Sequence, residues 1–496
     1  MYCPDKKEFL KLARKGNLIP VYREIMADLD TPISAFAKID TGDHSFLLES
    51  VEGGERLARY SFLGSRPSLV FSSRGRGIEL REGDKVKKYS APDPIAELKK
   101  IMSVYKCVGV KGLPRFSGGL VGFLGYDMVR FMEEIPDKNP DDIRTPDAVF
   151  MLTDTLLVFD HVDHKIKVVS NVHVKGSSAK AYDEAVRKID AIILKLKGPA
   201  PKDGYPGVSP AGERRTAPMD LTSNVTEPEF EDMVKKAKAY IKKGDIIQAV
   251  LSQRLKTHVE SHPLRIYRAL RSVNPSPYMY YLKLNGFYLV GSSPEIMVRC
   301  EDGVVEVRPI AGTRPRGASE AEDERLVKDL LSDPKERAEH IMLVDLGRND
   351  IGRVCDYKTV RVSDLMTIEK YSHVMHIVTD VTGRLKKGKD VFDVMRAAFP
   401  AGTVTGAPKV RAMEIIDELE SVRRGTYAGC VGYFSFSGNL DCCITIRTIL
   451  IKNKTAYIQA GAGIVADSVP KTEYQETMNK ARALLKAIEI AERGAE

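Results

Sequence analysis

A mixed α+β chain is predicted, and three observations carry that reading. Short strand-like runs broken by Gly, Pro or Ser recur along both halves of the 496 residues. Between them stand amphipathic helices with recognisable caps, in irregular order. The length exceeds one ordinary core, so two domains or one large composite fold is expected.

Taken in order, residues 1–196 form an N-terminal region, 197–224 a linker or exposed loop rich in Pro, Gly and charge, and 225–496 the region carrying most of the chemistry. In the first, 45–50 (SFLLES) and 59–63 (RYSFL) read as short strands and 149–174 as a hairpin, with helices over 93–105 and 179–196. The glycine-rich run 118–125 (GGLVGFLG) lacks the strand–turn–helix context of a nucleotide loop and reads as a tightly packed strand. After the linker, Thr226 and Glu229 open a helix through a capping box, Phe230, Val234, Ala237 and Ile241 form its apolar face, and Gly244 ends it. The strand at 246–255 then places Gln248, Val250, Ser252 and Arg254 on one side, where Gln248 is either a satisfied core amide or a ligand contact. Strands at 426–437 and 440–451 precede a final helix.

Two helices carry carboxylates in a pattern that needs explaining. In 333–350 (DPKERAEHIMLVDLGRND), Asp333 is an N-cap, Pro334 suits the first turn, and Glu336 completes a capping box, with Gly347 as the expected stop. Ile341, Met342, Leu343, Val344 and Leu346 cover nearly all azimuths, which predicts a helix enclosed by protein. Glu339 is then a charge in need of a partner. Near the C-terminus Tyr474, Met478, Ala481, Leu485 and Ile488 make an apolar face with Glu473, Glu476 and Lys480 beside it. Two Glu-x-x-Glu pairs on separate helices suit an oxygen-only site for a hard cation such as Mg2+; alternatively, they are solvated faces with acidic helix starts.

Composition narrows the class. With 43% hydrophobic and 29% charged residues the chain reads as soluble and globular. No apolar run approaches the ~18 residues of a membrane span, and the first residues lack a signal-peptide core, so a cytoplasmic location is expected. Seven cysteines, two of them adjacent at Cys442 and Cys443, argue against a disulfide framework, and no C-x-x-C pair suggests zinc. A formal charge of +8, not gathered into a block, fits an anionic small substrate or an acidic partner better than nucleic acid.

In sequence order, RPIAGT, ERAEHIMLVDLGRND, SHVMH, PAGTVTGAPK, TIRT, AGAGIV and PKTEYQETMNKA resemble the motifs of the chorismate-utilising enzymes. The resemblance spans 225–490 almost without a gap, and LLES with RYSFLG resembles the N-terminal region of anthranilate synthase large subunits. It implies two largely antiparallel β-sheets packed face to face with flanking helices. It also implies Mg2+ on Glu339 and Glu476, supported by Glu336 and Glu473, with the ring carboxylate of chorismate on the metal. Arg447 would take the other carboxylate, aided by the backbone N–H groups of Gly461, Ala462 and Gly463; Gly312, Thr313, Tyr427 and Lys480 match further substrate contacts. Ammonia would attack C2 as the C4 hydroxyl leaves, with Glu295 as proton donor and His376 assisting pyruvate elimination, unless that histidine is structural.

Two positions discriminate within the family. Members that add water carry a lysine base where this chain has Gln248, and aminodeoxychorismate synthases often carry a nucleophilic lysine where it has Ala311. Both point to anthranilate, with aminodeoxychorismate synthase component I as the alternative. No glutaminase nucleophile elbow is present, so a separate glutamine amidotransferase subunit, in a heterotetramer, is expected to supply ammonia. Leu48, Glu49 and Ser50 with Pro277, Tyr278 and Met279 match the family's tryptophan feedback site; ordinary packing at a seam is the other reading.

Overall fold

The computed structural model describes residues 1–51, 59–199, 219–371 and 374–494. Most of the predicted linker, and Ser372 and His373 of the SHVMH motif, lie outside the described residues. Among those described, strands assemble into two sheets of 13 and 12 strands joined by antiparallel ladders. Helices flank both sheets, as the α+β reading requires. No described helix is long and apolar enough to cross a membrane.

The sheets meet through one buried aromatic layer. Phe46, Phe62 and Leu289 of the first sheet share a core with Phe123, Val149 and Tyr433 of the second. Phe116 stacks on Tyr433 at 4.2 Å and meets the edge of Phe62 at 5.2 Å, contacts that add specificity to the area buried. Outside the first sheet, Ser178–Lys197, Pro263–Val273 and Pro470–Arg493 bury Ile189, Tyr267 and Ile488. Outside the second, Pro94–Ser103 and Val391–Ala398 bury Leu98 and Met395. Each sheet takes strands from both halves of the chain: His44–Glu49 pairs with Tyr278–Leu284, setting Glu49 opposite Met279.

Local signals translate directly where they are strong. Thr226 and Glu229 form the reciprocal capping box, and Gly244 closes that helix in the left-handed conformation at φ 83°. Gly119–Leu124 is a wholly buried strand, and a Cβ on Gly122 would lie 1.9 Å from the Val149 carbonyl oxygen. The expected 149–174 hairpin is Thr155–Asp160 with Lys165–His173; the preceding strand, Ala148–Thr153, belongs to the other sheet.

Three expectations change. The run 440–451 is two strands, Leu440–Ile444 in the second sheet and Thr448–Lys452 in the first, and the chain changes layer at Arg447, whose φ is 50°. The helix Pro334–Gly352 passes through Gly347, where a Cβ would sit 3.0 Å from Val307 and 3.4 Å from Pro309. That glycine allows close packing and stops nothing. The same helix is not enclosed, since Ile341 is 42% exposed and the buried side is His340, Leu343, Val344, Gly347, Asp350 and Ile351.

Candidate active site

Asp333 caps the Pro334–Gly352 helix, accepting from the backbone N–H of Lys335 at 2.9 Å and of Glu336 at 3.3 Å. Glu336 does not complete a capping box. Its carboxylate accepts from Arg314 Nη1 at 3.0 Å, and Arg314 also holds Asp329 and Asp333. One turn on, Glu339 accepts from Gln248 Nε2 at 2.9 Å, so the strand amide is a partner of the helix acid.

From the facing helix, Pro470–Arg493, Glu476 is held by Lys480 Nζ at 2.7 Å, and the same ammonium donates to the Gly461 carbonyl at 2.9 Å. Glu473 is buried on this helix. Burial pushes the Glu339 carboxyl above its ordinary value; the Gln248 hydrogen bond draws it down, and the charges of Glu336 and Glu476 push it up again. Burial likewise raises Glu473, the Ser468 hydroxyl opposes this, and Glu476 adds to it. The two Glu-x-x-Glu pairs thus come from distant parts of the chain into one electrostatic neighbourhood, with Lys480 acting on both.

A hard divalent cation fits this donor set. No group of three acids or histidines among the described residues closes into a ready-made cage. Mg2+ does not need one, being commonly held by one or two carboxylates with waters and ligand oxygens completing the octahedron. Glu339 and Glu476 are such a pair, each with a neighbouring donor to orient it.

Opposite the acids lies a cationic and backbone surface. Arg447 donates from Nη1 to the Lys480 backbone carbonyl, and burial lowers its pKa while Tyr427 and Glu476 raise it. Glycines 461 and 463 floor the site by absence of side chain: a Cβ on Gly461 would lie 2.7 Å from the Tyr427 hydroxyl, and one on Gly463 2.7 Å from Gln248 Nε2. Along its length Thr455–Ile464 pairs with Gln248–His258, but its other edge pairs with Thr448–Lys452 only through Ile458. Past that point the outer edge has no ladder partner among the described residues, so backbone N–H groups there can receive an anion.

Two titratable groups complete the arrangement. His376 Nδ1 lies 3.0 Å from the Gly312 carbonyl oxygen and 3.1 Å from Thr313 Oγ1. A carbonyl only accepts, so Nδ1 carries the proton and Nε2 of the neutral ring is a bare acceptor. Burial lowers the His376 pKa, Gly312 opposes this, and the Arg447 charge lowers it further, favouring that neutral form. Gly312, at φ 67°, leaves room for Glu336, whose Oε2 would be 3.2 Å from a Cβ there. Glu295 is 9% exposed; burial pushes its carboxyl up to about 8, against the pull of Thr403 and Lys480, so it is protonated at neutral pH.

The six residues expected at a feedback site gather elsewhere. Leu48, Glu49, Ser50, Pro277, Tyr278 and Met279 all line one cavity that opens to solvent. Glu49 accepts from Tyr267 Oη at 2.5 Å and lies 3.4 Å from Arg271. Across the cavity Asp441 is held by Arg299 and Arg115, each at 3.2 Å, and by Tyr278 Oη at 2.9 Å.

Sequence reasoning misses Arg314, Thr403 and the Glu420–Arg424 pair. Arg314 directly follows the RPIAGT motif, and Thr403 lies inside PAGTVTGAPK, but nothing local says which acids they meet.

The model of the chorismate binding enzymes matches residues 44–486, and this chain belongs to that family. Among its relatives, anthranilate synthase component 1 of Acetivibrio thermocellus is 52% identical over 491 residues, 99% of each chain. The same component of Aquifex aeolicus is 51% identical, covering 99% of this chain and 98% of the relative. The crystal structure of anthranilate synthase component I from Streptococcus pneumoniae TIGR4 superposes with a TM-score of 0.77 at 38% identity, over 93% of this chain and 98% of that one. MenF, the menaquinone-specific isochorismate synthase of Escherichia coli, shares the fold at a TM-score of 0.69 and 18% identity, over 97% of this chain and 98% of that one.

Proposed function

We propose that this chain is the aminating large subunit of an anthranilate synthase, converting chorismate and ammonia to anthranilate and pyruvate with Mg2+, under feedback by tryptophan. Similarity to component 1 enzymes over nearly the whole length of both chains supports the reading. The observation that carries it is Gln248 Nε2 donating to Glu339. An amide at this position cannot deprotonate water, whereas ammonia is nucleophilic without a base. Ala311 similarly offers no nucleophile for a covalent intermediate at C2.

Arg447 and the outer edge at 461–463 hold the enolpyruvyl carboxylate, and Tyr427 packs beside it. Glu339 and Glu476, with Glu336 and Glu473 behind them, would hold Mg2+, which would supply positive charge against the ring carboxylate. Glu295, protonated at neutral pH, gives its proton to the departing C4 hydroxyl while ammonia adds at C2. His376 Nε2 is the free base for the proton lost as pyruvate leaves. Ammonia comes from a glutamine amidotransferase subunit in a cytoplasmic heterotetramer.

Incubation with chorismate and ammonium, with and without Mg2+, tests this: fluorescence and mass of anthranilate, dependent on the metal, are expected. A 4-amino product would instead identify an aminodeoxychorismate synthase, and a hydroxylated one would overturn amination altogether. Glutamine should replace ammonium only when the amidotransferase subunit is added.

A further inference from the structure

A buried ion pair stands behind the substrate wall. Arg424 forks onto Glu420, with Nε donating to Oε2 at 2.9 Å and Nη2 to Oε1 at 2.6 Å, and the two side chains are 1% and 3% exposed. Two further protons go to backbone: Nη1 donates to the Val404 carbonyl at 2.7 Å and Nη2 to the Val250 carbonyl at 2.6 Å. The guanidinium lies 4.9 Å from the Tyr126 ring centre and 5.5 Å from that of Tyr427. Glu420 also accepts from Ser252, at 2.9 Å from N–H and 2.8 Å from the hydroxyl.

Such a pair is a poor device for stability alone, because desolvation offsets much of the attraction and well-packed apolar residues often do as well. What it does here is join three segments that each carry a site group. Val250 is two residues from Gln248, on the same face of the strand. Val404 follows Thr403, whose buried hydroxyl makes no hydrogen bond among the described residues but tempers the raised pKa of Glu295. Tyr427 lies against the guanidinium on one side and reaches Gly461 with its hydroxyl.

We propose that Arg424 is a positioning residue for chorismate turnover, fixing Tyr427 against the substrate and the 403–404 backbone beside it by one planar fork. This rests on the chorismate reading above. A lysine keeps the charge but cannot span Glu420 and two carbonyls together, so charge and geometry can be separated.

Two variants test it. Arg424→Lys retains the cation; the double variant Arg424→Met with Glu420→Gln removes both charges together and keeps an acceptor for Ser252. Both are expected to fold, with thermal midpoints near that of the parent, and to lose roughly 100-fold in kcat/KM for chorismate, the scale of a small misplacement in a site. KM for ammonium should stay within about twofold, as positioning of the other substrate's wall demands. In Arg424→Ala, guanidinium ion should restore part of the activity and methylammonium none, since the truncation leaves a space of guanidinium shape beside the small polar cavity that Arg424 lines. Unchanged KM and kcat for chorismate in folded variants would overturn the assignment, as would a parallel rise of both KM values with a falling midpoint, or failure of both variants to fold, which would make the pair a folding element. If the parent chain itself makes no product from chorismate and ammonium, the reading beneath fails instead.

Discussion

Gln248 Nε2 donates to Glu339 Oε1 at 2.9 Å, tying the first strand after the 197–224 segment to the helix that carries the principal acid. Hydrogen bonds to a charged group are worth about 1.5–3 kcal/mol, so this amide opposes the upward push of burial on the Glu339 carboxyl and aims it. Gln248→Leu should therefore raise the Mg2+ concentration for half-maximal activity by roughly 10- to 100-fold. Metal titration of the ammonia-dependent rate checks it; an unaltered requirement would remove Glu339 from the metal site.

Glu295 gives a prediction whose sign follows from linkage. Its folded pKa is raised, to about 8 against an ordinary 4.5, so its stabilising contribution is whole below the unfolded value and is lost as pH climbs through the folded one. Glu295→Gln should accordingly melt higher than the parent at pH 8, with the difference vanishing near pH 4.5. If Glu295 is the proton donor, kcat should also drop by roughly 10²- to 10⁴-fold, and the fall in parental kcat above pH 8 should disappear. Melting curves and rates across pH 5 to 9 separate the two effects.

The cavity at Glu49 and Tyr278 offers an optical test, because the chain contains no tryptophan and the emission of a bound tryptophan ligand has no indole background. Tryptophan should bind the parent and inhibit it, binding the inactive state more tightly. Ser50→Phe, which fills part of the cavity, should weaken binding by roughly tenfold or more while leaving chorismate turnover intact. Inhibition persisting in that variant would place the effector elsewhere.

Gly463→Ala puts a methyl 2.7 Å from Gln248 Nε2, closer than carbon and nitrogen tolerate, and the amide has to swing off Glu339. The expected result is a fall of roughly tenfold or more in kcat/KM with little change in thermal midpoint, the strand pairing being kept. Steady-state kinetics beside calorimetry would show it.

What the sequence made legible was local. The Thr226 capping box, the Gly244 stop and the buried 119–124 strand follow from neighbours within a few residues. The acids of the site were visible because Glu-x-x-Glu on a helix demands partners, and the ordered motifs said which. Glu336 completes no capping box because its partner, Arg314, lies 22 residues upstream in a strand. Gly347 ends no helix, and only the facing Val307 and Pro309 reveal why it lacks a side chain. The break at Arg447 carried no signal at all: a non-glycine residue at positive φ, held by tertiary contacts, leaves no mark in hydrophobic pattern.

That break has a mechanical consequence. At Arg447 the polypeptide steps from one layer of the sandwich to the other, and its neighbour Thr448 bonds, at 2.5 Å, the hydroxyl of Tyr280, a wall of the large cavity. The residue proposed to take the substrate's carboxylate therefore also marks the crossing between layers. Anything that wedges the layers apart tugs on that grip without having to reach it.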